Sequence, residues 1–141
     1  MGVDPLVGDT ESGYTQLRAL AEYLPLRSGT FDRVLFATTL DHFVSPEAAL
    51  AEALRVMKSD GTIVAWVGDK EAGAPPPAES PDWYRRLERP PGAEDLFHVK
   101  RLDPAGSEQL FAQADLTVLE REDTAVNEYR SNHFFRLARA R

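Results

Sequence analysis

FDRVLFATTLDHFVSPEAALAEALRVMKSDGTIVAWV, residues Phe31 to Val67, is the stretch that decides the fold. Its apolar run Val34-Leu35-Phe36-Ala37 suits a strand buried on both faces, as in a parallel sheet. After the polar break Thr38-Thr39 and the triplet Leu40-Asp41-His42, Ser45-Pro46 opens a helix, with Ser45 as cap and Pro46 at the first helical position. Glu47 in the first turn and Lys58 near the carboxyl end both complement the helix dipole. Leu50, Ala53, Leu54 and Met57 recur at helical spacing, so one stripe faces a core. Asp60-Gly61 predicts a turn, and Thr62 to Val67 a second buried strand. Strand, helix and strand joined by short loops make a right-handed βαβ crossover.

Downstream, Asp103-Pro104 repeats the cap-and-proline signal, and Leu110, Phe111 and Ala114 mark the buried side of a second helix. Asp115 is then placed at a left-handed cap position. Leu116–Glu122 and Asn132–Ala138 read as two further strands. Between the two halves the composition changes. Residues 69–92 hold Pro75-Pro76-Pro77, Pro81 and Pro90-Pro91, which favour stiff, extended chain, with room for a short helix at Trp83–Glu88. This insertion reads either as a cover over a substrate, with Arg85 and Arg86 facing an acidic group, or as a surface linker held by Trp83 and Tyr84. Upstream, rough alternation predicts a strand over Thr15–Leu20, while Val7 to Gly13 is too short and polar for a full helix.

The chain has 141 residues and reads as one domain over residues 1–141. With no cysteine it has no disulfide framework, thiolate zinc site or cysteine nucleophile, which fits a cytoplasmic protein. The formal charge of −7, spread along the chain, argues against a nucleic-acid partner. No apolar run approaches the roughly 18–20 residues of a spanning helix, so no membrane partner is expected either. No charged segment followed by an apolar one opens the sequence, so no signal peptide is expected. His98 and His133 lack metal-ligand spacing, and no metal is expected. His42, just past the first strand, suits a general base, with packing or capping as the bland alternative.

Four pieces resemble class I S-adenosylmethionine-dependent methyltransferases of the small-molecule, ubiquinone-biosynthesis-like kind. They are Phe31-Asp32, Leu40-Asp41-His42, Arg55-Val56-Met57-Lys58 and Ser59-Asp60-Gly61, the last departing from the family's Pro-Gly-Gly turn. The segment Ala21-Glu22-Tyr23-Leu24-Pro25-Leu26 is similar as well, and the resemblance runs along almost the whole chain. It implies a truncated Rossmann-like α/β fold, mostly parallel, with helices on both faces and a terminal antiparallel hairpin. It also implies S-adenosylmethionine as cofactor and a small-molecule substrate.

By the same resemblance Asp4 holds the cofactor's ribose hydroxyls, a role that suits a carboxylate acceptor; the alternative is a plain Asp4-Pro5 turn. Leu20, Ala21 and Glu22 stand where the family meets adenine. Leu20 replaces an aspartate there and offers only packing, while the backbone amides of Ala21 or Glu22 reach the ring. Ala37 and Thr38 touch the methionine part through backbone, and Asp32, at the strand entrance, is structural.

The family's first strand and its glycine-rich loop have no counterpart, so the resemblance implies the carboxyl-terminal portion of a methyltransferase. Two functions follow as expectations. One is methyl transfer to a small molecule, incomplete in this chain alone. The other is a non-catalytic relative acting as an interaction module. An absent first strand would leave the edge of Val34–Ala37 open, to be filled by a homodimer partner or by Thr15–Leu20 moving alongside.

Overall fold

The computed structural model describes residues 1–6, 13–70 and 102–140. Residues 69–70 of the predicted insertion belong to β4, and the rest of it, with the Trp83–Glu88 helix, Arg85 and Arg86, lies outside the described residues, as do His98 and most of Val7–Gly13. In chain order the elements are β1 (Gly2–Val3), β2 (Gln16–Leu17), β3 (Phe31–Ala37), a short 3-10 helix (Leu40–His42), α1 (Pro46–Val56), β4 (Met57–Lys70), α2 (Pro104–Gln113), β5 (Leu116–Asn127) and β6 (Arg130–Arg139).

The helix signals translate directly into caps. The Ser45 hydroxyl accepts from the Ala48 amide at 3.2 Å, and Pro46 opens α1. The Asp103 carboxylate accepts from the Gly106 amide at 2.6 Å, and Pro104 opens α2. Asp115 takes the left-handed conformation expected of it, φ 55°. Ala49, Leu50, Ala53 and Val56 form the buried stripe of α1.

The expected turn at Asp60-Gly61 is instead a bulge inside β4. Phe31 of β3 pairs with Met57, but Arg33 already pairs with Thr62, so residues 58–61 swing out of the ladder. Lys58 ties the bulge to Asp32 through a 2.6 Å ion pair, which also holds the Asp32 carboxyl below its usual range; Asp32 is structural, as expected. A Cβ at Gly61 would lie 3.0 Å from the Asp32 carbonyl oxygen, so a glycine lets the chain return to the ladder without crowding β3.

The sheet is mixed, not mostly parallel. Its order is β3-β4-β6-β5, with β3 parallel to β4 and the other two pairings antiparallel. The connection decides each case. The α1 crossover returns the chain parallel, whereas the tight turn at Glu128–Tyr129 forces an antiparallel hairpin. That hairpin is longer than predicted and carries irregularities at 118–120 and 125–127.

Thr15–Leu20 does not move beside Val34–Ala37. Only Gln16–Leu17 is extended, and it pairs in parallel with β1 as a separate two-stranded sheet. Among the described residues, the outer edge of β3 therefore has no partner strand.

One face of the four-stranded sheet carries the core. Phe36, Ile63, Ala65, Val67, Phe135 and Leu137 join the buried residues of both α1 and α2 in one cluster. Both described helices thus lie on one face of the sheet. On the other face Trp66 stacks on Phe134, 5.5 Å between ring centroids, and Leu35 is 66% exposed.

Candidate functional site at the strand ends

Ligands of open α/β sheets sit outside the carboxyl ends of the parallel strands. Asp4 follows β1 directly. It is exposed, and its Oδ1 accepts from the Leu6 amide at 2.7 Å. Leu20 to Tyr23 forms a turn closed by the Tyr23 amide donating to the Leu20 carbonyl. Leu20 is exposed on this turn, while Ala21 packs against the core. The Glu22 side chain is buried, and its Oε1 accepts from the amides of Val44 and Ser45 at 3.1 and 3.4 Å. Its carboxylate therefore anchors the loop into α1, and its backbone amide is the group the adenine expectation concerns.

The loop between β2 and β3 is fixed from α1. Glu52 Oε2 accepts from the Leu24 amide at 2.7 Å, and Arg55 donates to the carbonyls of Leu24 and Leu26 at 2.8 and 2.7 Å. Arg55, through its hydrogen bonds, and the Leu24 amide hold the Glu52 carboxyl down to about 2 against the penalty of burial.

Ala37 ends β3, half-buried. Thr38 follows in the left-handed region, φ 51°, with its amide donating to the Trp66 carbonyl at 2.9 Å. A β-branched residue is strained there. His42 lies in the 3-10 helix, with 41% of its side chain exposed and Nε2 3.7 Å from Asp41 Oδ1. Behind that helix a cavity of about 300 Å³ is lined by Asp41, Phe43, Glu47, Leu102, Gln109 and Leu110, among others. Ala37 closes β3, with Thr38 and His42 after it, while Asp4 follows β1 and Leu20 lies three residues past β2 in the separate two-stranded sheet.

A second cluster was missed by sequence reasoning. His133 on β6 is buried, and its Nδ1 is 2.8 Å from Asp123 Oδ1 on β5. Arg121 clamps the same carboxylate with Nε to Oδ1 at 2.9 Å and Nη2 to Oδ2 at 2.8 Å, and its Nη1 reaches Glu108 of α2 at 2.8 Å. Arg121 first, and His133 second, hold the Asp123 carboxyl down to about 2. Among the described residues the His133 Nε2 has no hydrogen-bond partner, and the Asp69 carboxylate stands 3.9 Å away. No motif announces this cluster, because it is assembled by strand register rather than by local spacing. Among the described residues no group of three or more acidic or histidine side chains has metal-holding geometry.

A methyltransferase-domain family model matches residues 7–65. No curated protein matches the chain. Among solved structures, the [4+2]-cyclase SpnF superposes with a TM-score of 0.63 at 12% identity, covering 89% of this chain and 56% of its own. A SAM-dependent methyltransferase from Aquifex aeolicus gives 0.56 at 18% identity, with coverages of 85% and 53%. One from Thermotoga maritima gives 0.59 at 20% identity, with coverages of 87% and 64%.

The fold is that of the SAM-dependent methyltransferases.

This chain spans between 53% and 64% of the length of those three structures. The methyltransferase fold is Rossmann-like, a class whose ligands sit outside the carboxyl ends of the parallel strands. The fold does not fix the reaction, since one of the three is described as a cyclase. Among the described residues no helix is long and apolar enough to cross a membrane.

Proposed function

We propose that the chain acts in methyl transfer from S-adenosylmethionine to a small-molecule acceptor. The observation that carries this reading is the strained Thr38 at the carboxyl end of β3. Backbone strain of this kind is maintained where a surrounding structure needs it, and it concentrates at ligand sites. The residues present fit the cofactor in their chemistry. The exposed carboxylate of Asp4 suits vicinal ribose hydroxyls, Leu20 offers an apolar surface to the adenine, and Ala37 and Thr38 offer backbone to the methionine part. His42, on the 3-10 helix after β3, is the residue this reading assigns as general base. When bound, the cofactor supplies a methyl group on a sulfonium, a good leaving group, and the protein's main contribution is alignment. Titration calorimetry with S-adenosylhomocysteine tests the reading. Saturable heat is expected, and no heat up to about millimolar ligand, an affinity of roughly −4 kcal/mol, overturns it for this chain.

A second reading is favoured by Leu35, 66% exposed on a strand whose outer edge has no described partner. An apolar edge of this kind invites another chain. In this reading the protein is an interaction module that forms a homodimer, with two β3 edges joined antiparallel as a two-fold axis requires. Light scattering after size-exclusion chromatography decides it, a monomer at all concentrations excluding the dimer.

A further inference from the structure

We propose that the cavity behind the 3-10 helix seats the methyl acceptor, and that this acceptor is an organic ammonium, an apolar body carrying a protonated amine apart from the atom that is methylated. The proposal rests on the methyl-transfer reading. The cavity holds about 300 Å³, room for a small organic molecule. One wall is the stretch from the 3-10 helix into α1. The other is the residue before α2 and one face of that helix. The floor is apolar, built from Leu40, Leu102 and Leu110, which are 2%, 6% and 5% exposed. Phe43 adds an aromatic ring, a surface that attracts cations.

The polar groups of the lining set the charge of the ligand. They are the carboxylates of Asp41 and Glu47 and the side-chain amides of Gln109 and Gln113, with no lysine, arginine or histidine among the described residues of the lining. Two helix N-termini lie beside the cavity, and such ends ordinarily draw anions. Here their donors are mostly committed. Pro46 and Pro104 carry no amide hydrogen. The Val44 and Ser45 amides donate to the Glu22 carboxylate, and the Ala48 amide to the Ser45 hydroxyl. The Gly106 amide donates to Asp103 Oδ1 and the Ser107 amide to the Asp103 carbonyl. Negative charge and hydrogen-bond acceptors are what the cavity has left to offer. Asp41 is the deeper carboxylate, with 14% of its side chain exposed. Glu47 stands on the exposed rim, where the Ser45 hydroxyl donates to it at 3.3 Å. A ligand carboxylate or phosphate would meet like charge here, whereas an ammonium brings three donors and no acceptor.

The place in the fold ties the cavity to the reaction. Leu40 and Asp41 follow Thr38 by two and three residues, so the cavity begins next to the backbone where the methionine part of the cofactor is expected. The His42 imidazole, 3.7 Å from Asp41 Oδ1, stands beside the anchor and not on the lining. The anchored nitrogen is fully protonated and has no lone pair, so it is not the nucleophile. The methyl group therefore goes to a second nucleophilic atom of the same molecule. Asp41 and Glu47 act as specificity-determining residues that choose the acceptor and take no part in proton transfer.

NMR of the leucine-methyl-labelled protein tests this without cofactor, with three probes of similar shape: phenethylammonium, 2-phenylethanol and phenylacetate. The expected result is a saturable movement of the Leu40, Leu102 and Leu110 methyl signals with the ammonium. The alcohol should bind about tenfold more weakly, the effect of one hydrogen bond to a charged group, and phenylacetate should not bind. Asp41→Asn should remove the tenfold preference for the ammonium over the alcohol. Glu47→Gln, on the exposed rim, should lower it about threefold. No saturable movement at these methyls up to about 10 mM ammonium overturns the proposal. So does an alcohol or a phenylacetate that binds as tightly as the ammonium in the wild-type protein, or a preference that survives Asp41→Asn. Calorimetry with S-adenosylhomocysteine separates the two claims. Heat with no preference for the ammonium overturns the cation anchor alone. Absent heat with the preference intact overturns the methyl-transfer reading and not the binding of organic cations in the cavity.

Discussion

Glu52 and Arg55 form a two-point pair on the last turns of α1, Nε to Oε1 at 2.6 Å and Nη2 to Oε2 at 2.8 Å. The same two side chains hold the Leu24–Leu26 loop, which sets the Leu20–Tyr23 turn relative to β3. Glu52→Ala leaves the Leu24 amide without its acceptor and Arg55 without its counterion. A loss of about 1–2 kcal/mol in urea-denaturation stability is expected. Amide exchange at Leu24 should quicken along with it.

The pH dependence of stability follows from the same pair. The Glu52 pKa is lowered from 4.5 to about 2 in the folded protein, so its stabilisation is fully present above about 4.5 and lost as pH falls through 2. Asp123, lowered from 3.8 to about 2, acts in the same direction and the same window. Acid unfolding followed by circular dichroism should show stability falling between about pH 5 and 2. In Glu52→Gln that slope should be shallower, and an unchanged slope would remove Glu52 as a contributor.

Thr38→Gly should relieve the left-handed strain at a side chain that is exposed. The strain is about 1–3 kcal/mol, and the added freedom of glycine in the unfolded chain offsets part of it. Thermal unfolding should therefore show a gain of about 1 kcal/mol. S-adenosylhomocysteine should bind more weakly if the strained geometry serves the cofactor. A variant less stable than wild type contradicts the strain argument.

Phe111, fully buried on α2, meets Phe135 edge-on with ring centroids 5.3 Å apart. Phe111→Ala opens a cavity where α2 meets the sheet and should destabilise by about 3–5 kcal/mol. A loss under about 1 kcal/mol in denaturant titration would mean that this contact does not hold α2 on the sheet.

Leu35→Lys places a charge on the β3 edge strand where the side chain is largely in water. Stability should change by less than about 0.5 kcal/mol. Any self-association through β3 should disappear in light scattering, because edge lysines block strand pairing. An unchanged dimer would place the contact elsewhere.

The sequence by itself determined what depends on near neighbours along the chain. Ser45-Pro46 and Asp103-Pro104 capped and opened both described α-helices, Asp115 took its left-handed cap, and the spacing of Leu50 and Ala53 picked the buried face of α1. These are local signals, each satisfied within a few residues, and the β3–α1–β4 crossover followed from them. Tertiary structure decided the rest, because pairing partners and burial are set by chain that is distant in sequence. It made the sheet mixed by seating β6 beside β4, and it sent Gln16–Leu17 to β1 rather than to β3. It committed the Glu22 carboxylate to the Val44 and Ser45 amides. It also brought His133 onto Asp123 through the register of a long hairpin, a contact that no local spacing encodes.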